Sequence, residues 1–150
     1  MRREVVLTHE FVEYIPQELK DGTIYVSIAF STVVHKCCCG CGNEVVTPLS
    51  PTDWKLIFDG ESISLTPSIG NWNFKCQSHY FITGNKVRWA NQWSRKEIDA
   101  GRHHDKLGKE NYYRNKKSIA NNELTIELEK FKNNELPKNT LWSKLKQWWY

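Results

Sequence analysis

Five cysteines concentrate the chemistry of this chain. Cys37, Cys38, Cys39 and Cys41 fall within five residues, and Cys76 follows 35 residues after Cys41. Gly40 and Gly42 let the backbone turn sharply, so the alternating thiols at 37, 39 and 41 can converge instead of pointing along one strand face. Thiolate and imidazole ligands in tetrahedral geometry suit Zn²⁺. His79 stands three residues beyond Cys76, which leaves three arrangements open. One is a closed structural site of Cys37, Cys39, Cys41 and Cys76. Another replaces Cys37 with His79. A third drops one ligand and keeps a water, as a catalytic zinc does. The closed four-cysteine set is the favoured one, and it leaves Cys38 as an ordinary small apolar residue pointing away. Buried free thiols are the metal-free alternative.

A second constellation is Thr66-Pro67-Ser68-Ile69-Gly70-Asn71-Trp72. Pro67 sets the approach to a turn and Gly70 permits a tight bend. Such a bend can present a serine hydroxyl and aim neighbouring backbone N–H groups at one point, which is what a nucleophile with an oxyanion hole requires. The serine needs a base, and His79 follows a cysteine that a metal would anchor. A Ser68–His79 dyad is therefore a candidate, with Asp59 or Asn71 as possible partners for the imidazole. The competing interpretation is a plain turn in which Ser68 and Asn71 cap backbone groups, with His79 a zinc ligand.

The elements that must position these groups are mostly strands. The chain has 150 residues, 39% hydrophobic, with seven Trp, six Tyr and six Phe. That is one domain's length with a modest core, of the kind a metal often staples. Thr23–Phe30 and Ser31–Lys36 read as strands leading into the cysteines, and Val45–Thr47 leaves them. Trp54–Phe58 and Ser62–Thr66 flank an Asp59-Gly60 turn, and Ser78–Thr83 and Lys86–Trp89 flank Gly84-Asn85, so both pairs predict hairpins. Trp54, Trp72, Trp89 and Trp93 are expected to pack this β core, with Trp72 alternatively walling a narrow cleft for an extended peptide.

The last third changes character. Ser94-Arg-Lys-Glu97 is a capping box that predicts a short helix, with Gly101 and Gly108 interrupting it. Leu124, Leu128 and Phe131 predict a second helix, and Leu141, Leu145 and Trp148, with Thr140 as N-cap, a third. Adjacent His103 and His104 diverge by about 100° on a helix and read as solvated. The expected fold is α+β: a small zinc-stapled, mostly antiparallel β domain over residues 1–117, then a basic helical extension over 118–150. The charge is uneven: residues 1–101 hold 10 Lys+Arg and 11 Asp+Glu, net −1, and residues 102–150 hold 11 and 6, net +5. A nucleic-acid-binding core is not indicated. The start shows neither a signal peptide nor a membrane span, so a cytoplasmic location and reduced, metal-binding cysteines are expected.

The ordered run His35-x-Cys37-x-Cys39-Gly-Cys41-Gly, Thr47-Pro-Leu-Ser-Pro-x-x-Trp54, Ser64-Leu-x-Pro-Ser68-Ile-Gly-Asn-Trp72, Cys76-x-Ser78-His79-Tyr80 and Val87-x-Trp89 resembles a bacterial domain family of unknown function. Its members are encoded in operons beside ThiF-type E1-like enzymes, E2-like enzymes and ubiquitin-like proteins. The resemblance covers roughly residues 20 to 115. It implies a peptidase or isopeptidase that trims or removes the modifier, with Cys37, Cys39, Cys41, Cys76, Ser68, Ser78 and His79 as the family's polar motif residues. Cys38 departs from the pattern, where relatives carry another residue such as proline. In the serine scheme Ser68 attacks, His79 is the base and N–H groups near Ile69 and Gly70 bind the oxyanion. Two alternatives are a zinc-hydroxide metallopeptidase with His79 as ligand, and a non-catalytic zinc-stapled adaptor for the ubiquitin-like protein or its E1 or E2 partners.

Overall fold

The computed structural model describes residues 5–133. Among these described residues, nine strands form two sheets. β3 (Thr23–Ser27), β4 (Thr32–Lys36) and β5 (Glu44–Pro48) make an antiparallel meander, and β2 (Thr8–Phe11) adds to β3 in parallel. The other sheet runs in the order β1-β9-β8-β7-β6, all antiparallel: β1 (Val5–Val6), β6 (Lys55–Phe58), β7 (Ile63–Gly70), β8 (His79–Thr83) and β9 (Lys86–Trp89). Both predicted hairpins form. β1 and β2 carry too short a pattern to be read from the sequence.

The period of two along a strand puts one set of side chains between the sheets. Ile24, Val26, Val33, Cys37 and Val45 from one sheet meet Ile63, Leu65, Ile69, Tyr80, Ile82 and Val87 from the other in a single buried cluster. Burying each aliphatic side chain stabilises by about 1.5–3 kcal/mol. β3 is buried on both faces, because Tyr25 turns the other way and packs with Leu19 and Val34 under Val12 and Ile15. Trp54 and Trp89 pack on the main cluster as expected. Trp72 and Trp93 do not: they stack on each other outside it, with ring centroids 5.6 Å apart.

The described residues fall into two compact units that divide between Lys106 and Leu107. α1 (Arg95–Asn133) starts where the capping box predicts: the Glu97 carboxylate accepts from Ser94 N–H at 2.6 Å and Ser94 Oγ accepts from Glu97 N–H at 3.4 Å. It then continues for 39 residues through Gly101 and Gly108, so the expected interruptions and the separate helix around Leu124 are replaced by one helix. A glycine costs a helix only about 1 kcal/mol relative to alanine, too little to break one in which the neighbouring residues are good formers. His103 and His104 are exposed. The third predicted helix, over Leu141, Leu145 and Trp148, lies outside the described residues. Among the described residues no helix is long and apolar enough to cross a membrane.

Candidate active site and metal centre

The four cysteines favoured from spacing converge. Cys37 directly follows β4, Cys39 and Cys41 lie in the turn before β5, and Cys76 lies in the loop from β7 to β8. Their sulfurs all lie within 4.8 Å of one another. Cys37 Sγ is 3.4 Å from Cys39 Sγ and 3.9 Å from Cys76 Sγ, and Cys41 Sγ is 3.7 Å from Cys76 Sγ. Four thiolates on one Zn²⁺ at about 2.3 Å would stand about 3.8 Å apart, so the donor set fits a tetrahedral metal. Gly40 at φ +83° and Gly42 at φ +79° supply the left-handed turns that fold the three local thiols together.

Donors surround the cluster as they do around bound thiolates. Asn43 Nδ2 donates to Cys41 Sγ at 3.2 Å. Buried Ser78 Oγ lies 3.1 Å from Cys37 Sγ and accepts from Asn71 Nδ2 at 2.9 Å. The Asn43 backbone N–H holds the Cys41 thiol down, to about 6, while burial pushes the Cys37 thiol up. Cys38 points away from the cluster, and burial raises its thiol to about 12. Behind the centre, Asn71 Nδ2 also approaches Tyr80 Oη at 3.4 Å, and Tyr80 Oη meets His35 Nε2 at 2.9 Å. Burial lowers His35 to about 4, so it stays neutral in this network at pH 7.

The Ser68–His79 contact is made across the β7–β8 pair. Pairing runs from Leu65↔Ile82 to Ile69↔Tyr80. β7 therefore spends two more residues than β8 between these points, in a bulge over Thr66, Pro67 and Ser68; the Thr66–Pro67 bond is cis. A bulge re-aims side chains. Leu65 and Ile69 point into the core, while half-buried Ser68 turns to the outer face. His79 lies opposite Gly70, so its side chain shares that face. The result is a His79 Nε2 to Ser68 Oγ distance of 3.0 Å.

The other ring nitrogen fixes the tautomer. His79 Nδ1 is 2.8 Å from the backbone O of Asn91. A carbonyl can only accept, so Nδ1 carries the hydrogen and Nε2 presents its lone pair to the Ser68 hydroxyl. Neither Asp59 nor Asn71 orients the imidazole. Asp59 is bound by Glu61 N–H and Ser62 N–H in its own turn, and Asn71 serves Ser78 and Tyr80. A backbone carbonyl carries no side-chain signal, so nothing in the sequence marks Asn91.

Aromatic rings enclose the imidazole, which is buried. Trp72 lies 4.9 Å from it, Trp93 5.2 Å and Phe81 6.2 Å. Gly70 makes room for this: a Cβ there would sit 2.4 Å from Trp72 Nε1. Gly101 does the same for Trp93, whose Cζ3 is 2.9 Å from the position of a Cβ. Of the two N–H groups expected at an oxyanion, that of Ile69 faces Tyr80 in the ladder and that of Gly70 does not.

The Ser68–His79 pair and the cysteine cluster share one piece of chain. Asn71–Ser78 leaves β7 just after Gly70 and enters β8 at His79, and Cys76 ties it to the turn after β4. A metal on the four thiolates would thereby pin the end of the strand pair that holds serine against histidine. The chain has no match among curated proteins or among solved structures. One family model does match, over residues 11–90, which is more than half of the chain and contains the four clustered cysteines, Ser68 and His79. With that match added to the geometry, the chain belongs to the bacterial ubiquitination-like system serine protease (BubE) family.

Proposed function

We propose that this chain is a peptidase that processes or deconjugates a ubiquitin-like protein, with Ser68 as nucleophile and His79 as its base, beside a structural Zn²⁺ on Cys37, Cys39, Cys41 and Cys76. The observation that carries the proposal is the imidazole bonded to Ser68 on one nitrogen and to the Asn91 carbonyl on the other. Both nitrogens are engaged away from the sulfurs, which favours the serine scheme over a metal-bound hydroxide with His79 as ligand. The catalytic unit falls within residues 1–117, with the basic extension beyond it, and E1-like or E2-like enzymes of the same cytoplasmic system are the expected neighbours.

The steps follow from the tautomer. Ser68 Oγ attacks the carbonyl at the modifier's C-terminus while His79 Nε2 takes the hydroxyl proton. The imidazolium is stabilised by the Asn91 carbonyl at Nδ1–H. Its Nε2–H then passes to the leaving amine as the C–N bond breaks. A water then attacks the acyl-serine as it gives a proton to Nε2, and Nε2 passes that proton to Ser68 Oγ as the Oγ–acyl bond breaks, releasing the carboxylic acid and restoring both residues. Four thiolates leave a zinc no open position for water, so when bound it would act as a cross-link between loops.

The test is Ser68→Ala. It removes one oxygen, so zinc content and thermal stability are expected to stay at wild-type values. Cleavage of the cognate ubiquitin-like precursor or conjugate is expected to vanish. A serine-directed phosphonate should label Ser68 in wild type and fail in His79→Ala. Full activity in Ser68→Ala would favour the metallopeptidase, and no cleavage by wild type would favour the adaptor.

A further inference from the structure

Among the described residues the edge of β7 beside Ser68 carries no partner strand, and the reason is in β6. β6 pairs with β7 from Phe58↔Ile63 to Lys55↔Thr66. Upstream of Lys55 the chain turns toward β5 instead. Trp54 N–H donates to Pro48 O at 3.1 Å, Ser50 N–H donates to Trp54 O at 3.3 Å, and Leu49 bridges Trp54. Both backbone groups of Trp54 are thus committed elsewhere. Residues 67–70 of β7 run on with no strand on that side among the described residues, and Thr66, Pro67 and Gly70 are exposed.

The ladder shows which groups are left over. Asn71 N–H bonds to Ser78 O at 2.8 Å, and His79 O accepts from Ala90 N–H at 2.9 Å, on the β9 side. Gly70↔His79 is therefore a pair without mutual hydrogen bonds, and Gly70 directs its N–H and C=O off the open edge. These groups lie two residues from the nucleophile, about 7 Å along a strand.

We propose that the C-terminal tail of the ubiquitin-like substrate binds as an added strand on this edge, exchanging two hydrogen bonds with Gly70 and so bringing its scissile carbonyl to Ser68 Oγ. The proposal rests on the peptidase reading. An extended chain is the occupant the edge fits, because a helix has no free backbone groups in its middle to offer and a strand does. The chemistry at Ser68 calls for a main-chain acyl group on the same edge. The tail residue opposite Gly70 turns its side chain to the outer face. The Trp72 indole already lies across that face at Gly70, so this tail position takes a small residue.

The test uses the full-length enzyme and a semisynthetic precursor of its cognate ubiquitin-like protein. The tail carries a single N-methyl group, moved one residue at a time. N-methylation at the residue opposite Gly70 is expected to lower kcat/KM about 10-fold or more, the loss of one backbone bond and its geometry. Its two neighbours, whose amides face away, should change it less than about 3-fold, and replacing the paired residue with Trp should lower it about 10-fold or more. If the unmodified precursor is cleaved and every N-methylated tail is cleaved equally well, the added strand is wrong and the peptidase reading stands. If wild type cleaves nothing, that reading fails. Hydrogen exchange of the Gly70 amide in Ser68→Ala protein then decides the edge on its own. Slowing of about 10-fold or more with saturating precursor supports it, and unchanged exchange, or no binding, overturns it.

Discussion

Replacing Gly70 with alanine is a one-carbon probe of the histidine enclosure. The new Cβ would lie 2.4, 2.6 and 2.9 Å from Trp72 Nε1, Cε2 and Cζ2. Ordinary contact needs about 3.5 Å or more, so the indole must move by about 1 Å. It has little freedom to do so, since Trp93 stacks on it and is itself held against Gly101. Overpacking of this kind costs about 1–3 kcal/mol. For a unit of about 100 residues that corresponds to a fall in Tm of several degrees, at about 4–8 °C per kcal/mol. The same 1 Å shift acts on a ring 4.9 Å from His79, and misplacement on that scale can lower a rate about 100-fold. The assays are thermal unfolding and precursor cleavage, each with Gly70→Ala alone and in a Trp72→Ala background. Once the indole is gone the clash has no partner, so Gly70→Ala should then add less than about 0.5 kcal/mol. A single variant with wild-type Tm and cleavage would refute the reasoning. So would an equal destabilisation in both backgrounds.

The purified protein is expected to carry about one zinc per chain, and chelation should lower its stability because metal binding is coupled to folding; elemental analysis and thermal scans with and without chelator check this. Cys41→Ser should lose zinc while His79→Ala keeps both zinc and fold, and metal loss in His79→Ala would move the histidine into the ligand set. Gly108→Ala, where a Cβ meets nothing within 4 Å, should strengthen α1 by about 1 kcal/mol, visible as increased helicity on circular dichroism. The Ser62 and Glu61 N–H groups hold the Asp59 carboxyl down, to about 2 from 3.8. Because the folded pKa is the lower one, the stabilisation is complete above about pH 4 and is lost as pH falls through about 2. Asp59→Ala should therefore be destabilised at pH 7, with the gap from wild type closing over that window in denaturant titrations.

How much of this was legible beforehand depended on how far apart in the chain the partners are. Cys37, Cys39 and Cys41 could be read as one metal site because Gly40 between the last two and Gly42 just after them favour the turn that gathers them. The Asp59-Gly60 and Gly84-Asn85 hairpins, and the Ser94 start of α1, are likewise written in a few adjacent residues. The length of α1 is not legible in the same way, because two glycines weaken a helix locally without outweighing its remaining residues.

Contacts between strands follow a different logic. Ser68 and His79 were singled out by type, but their 3.0 Å separation is set by the β7–β8 register and by a bulge that no residue pattern announces. Whether Trp72 and Trp93 enter the core or enclose the imidazole depends on which sheet face they meet. The Asn91 carbonyl is invisible in sequence, since every residue has one. So is the end of β6 pairing short of Gly70 among the described residues, where Trp54 spends its backbone bonds on Pro48 and Ser50. The thiols, the candidate serine and histidine, and the turns were readable from the chain alone, because they are properties of side-chain chemistry and short-range backbone preference. Which groups face one another emerges on folding, because strand register and the choice of hydrogen-bond partner are settled by packing between segments distant along the chain.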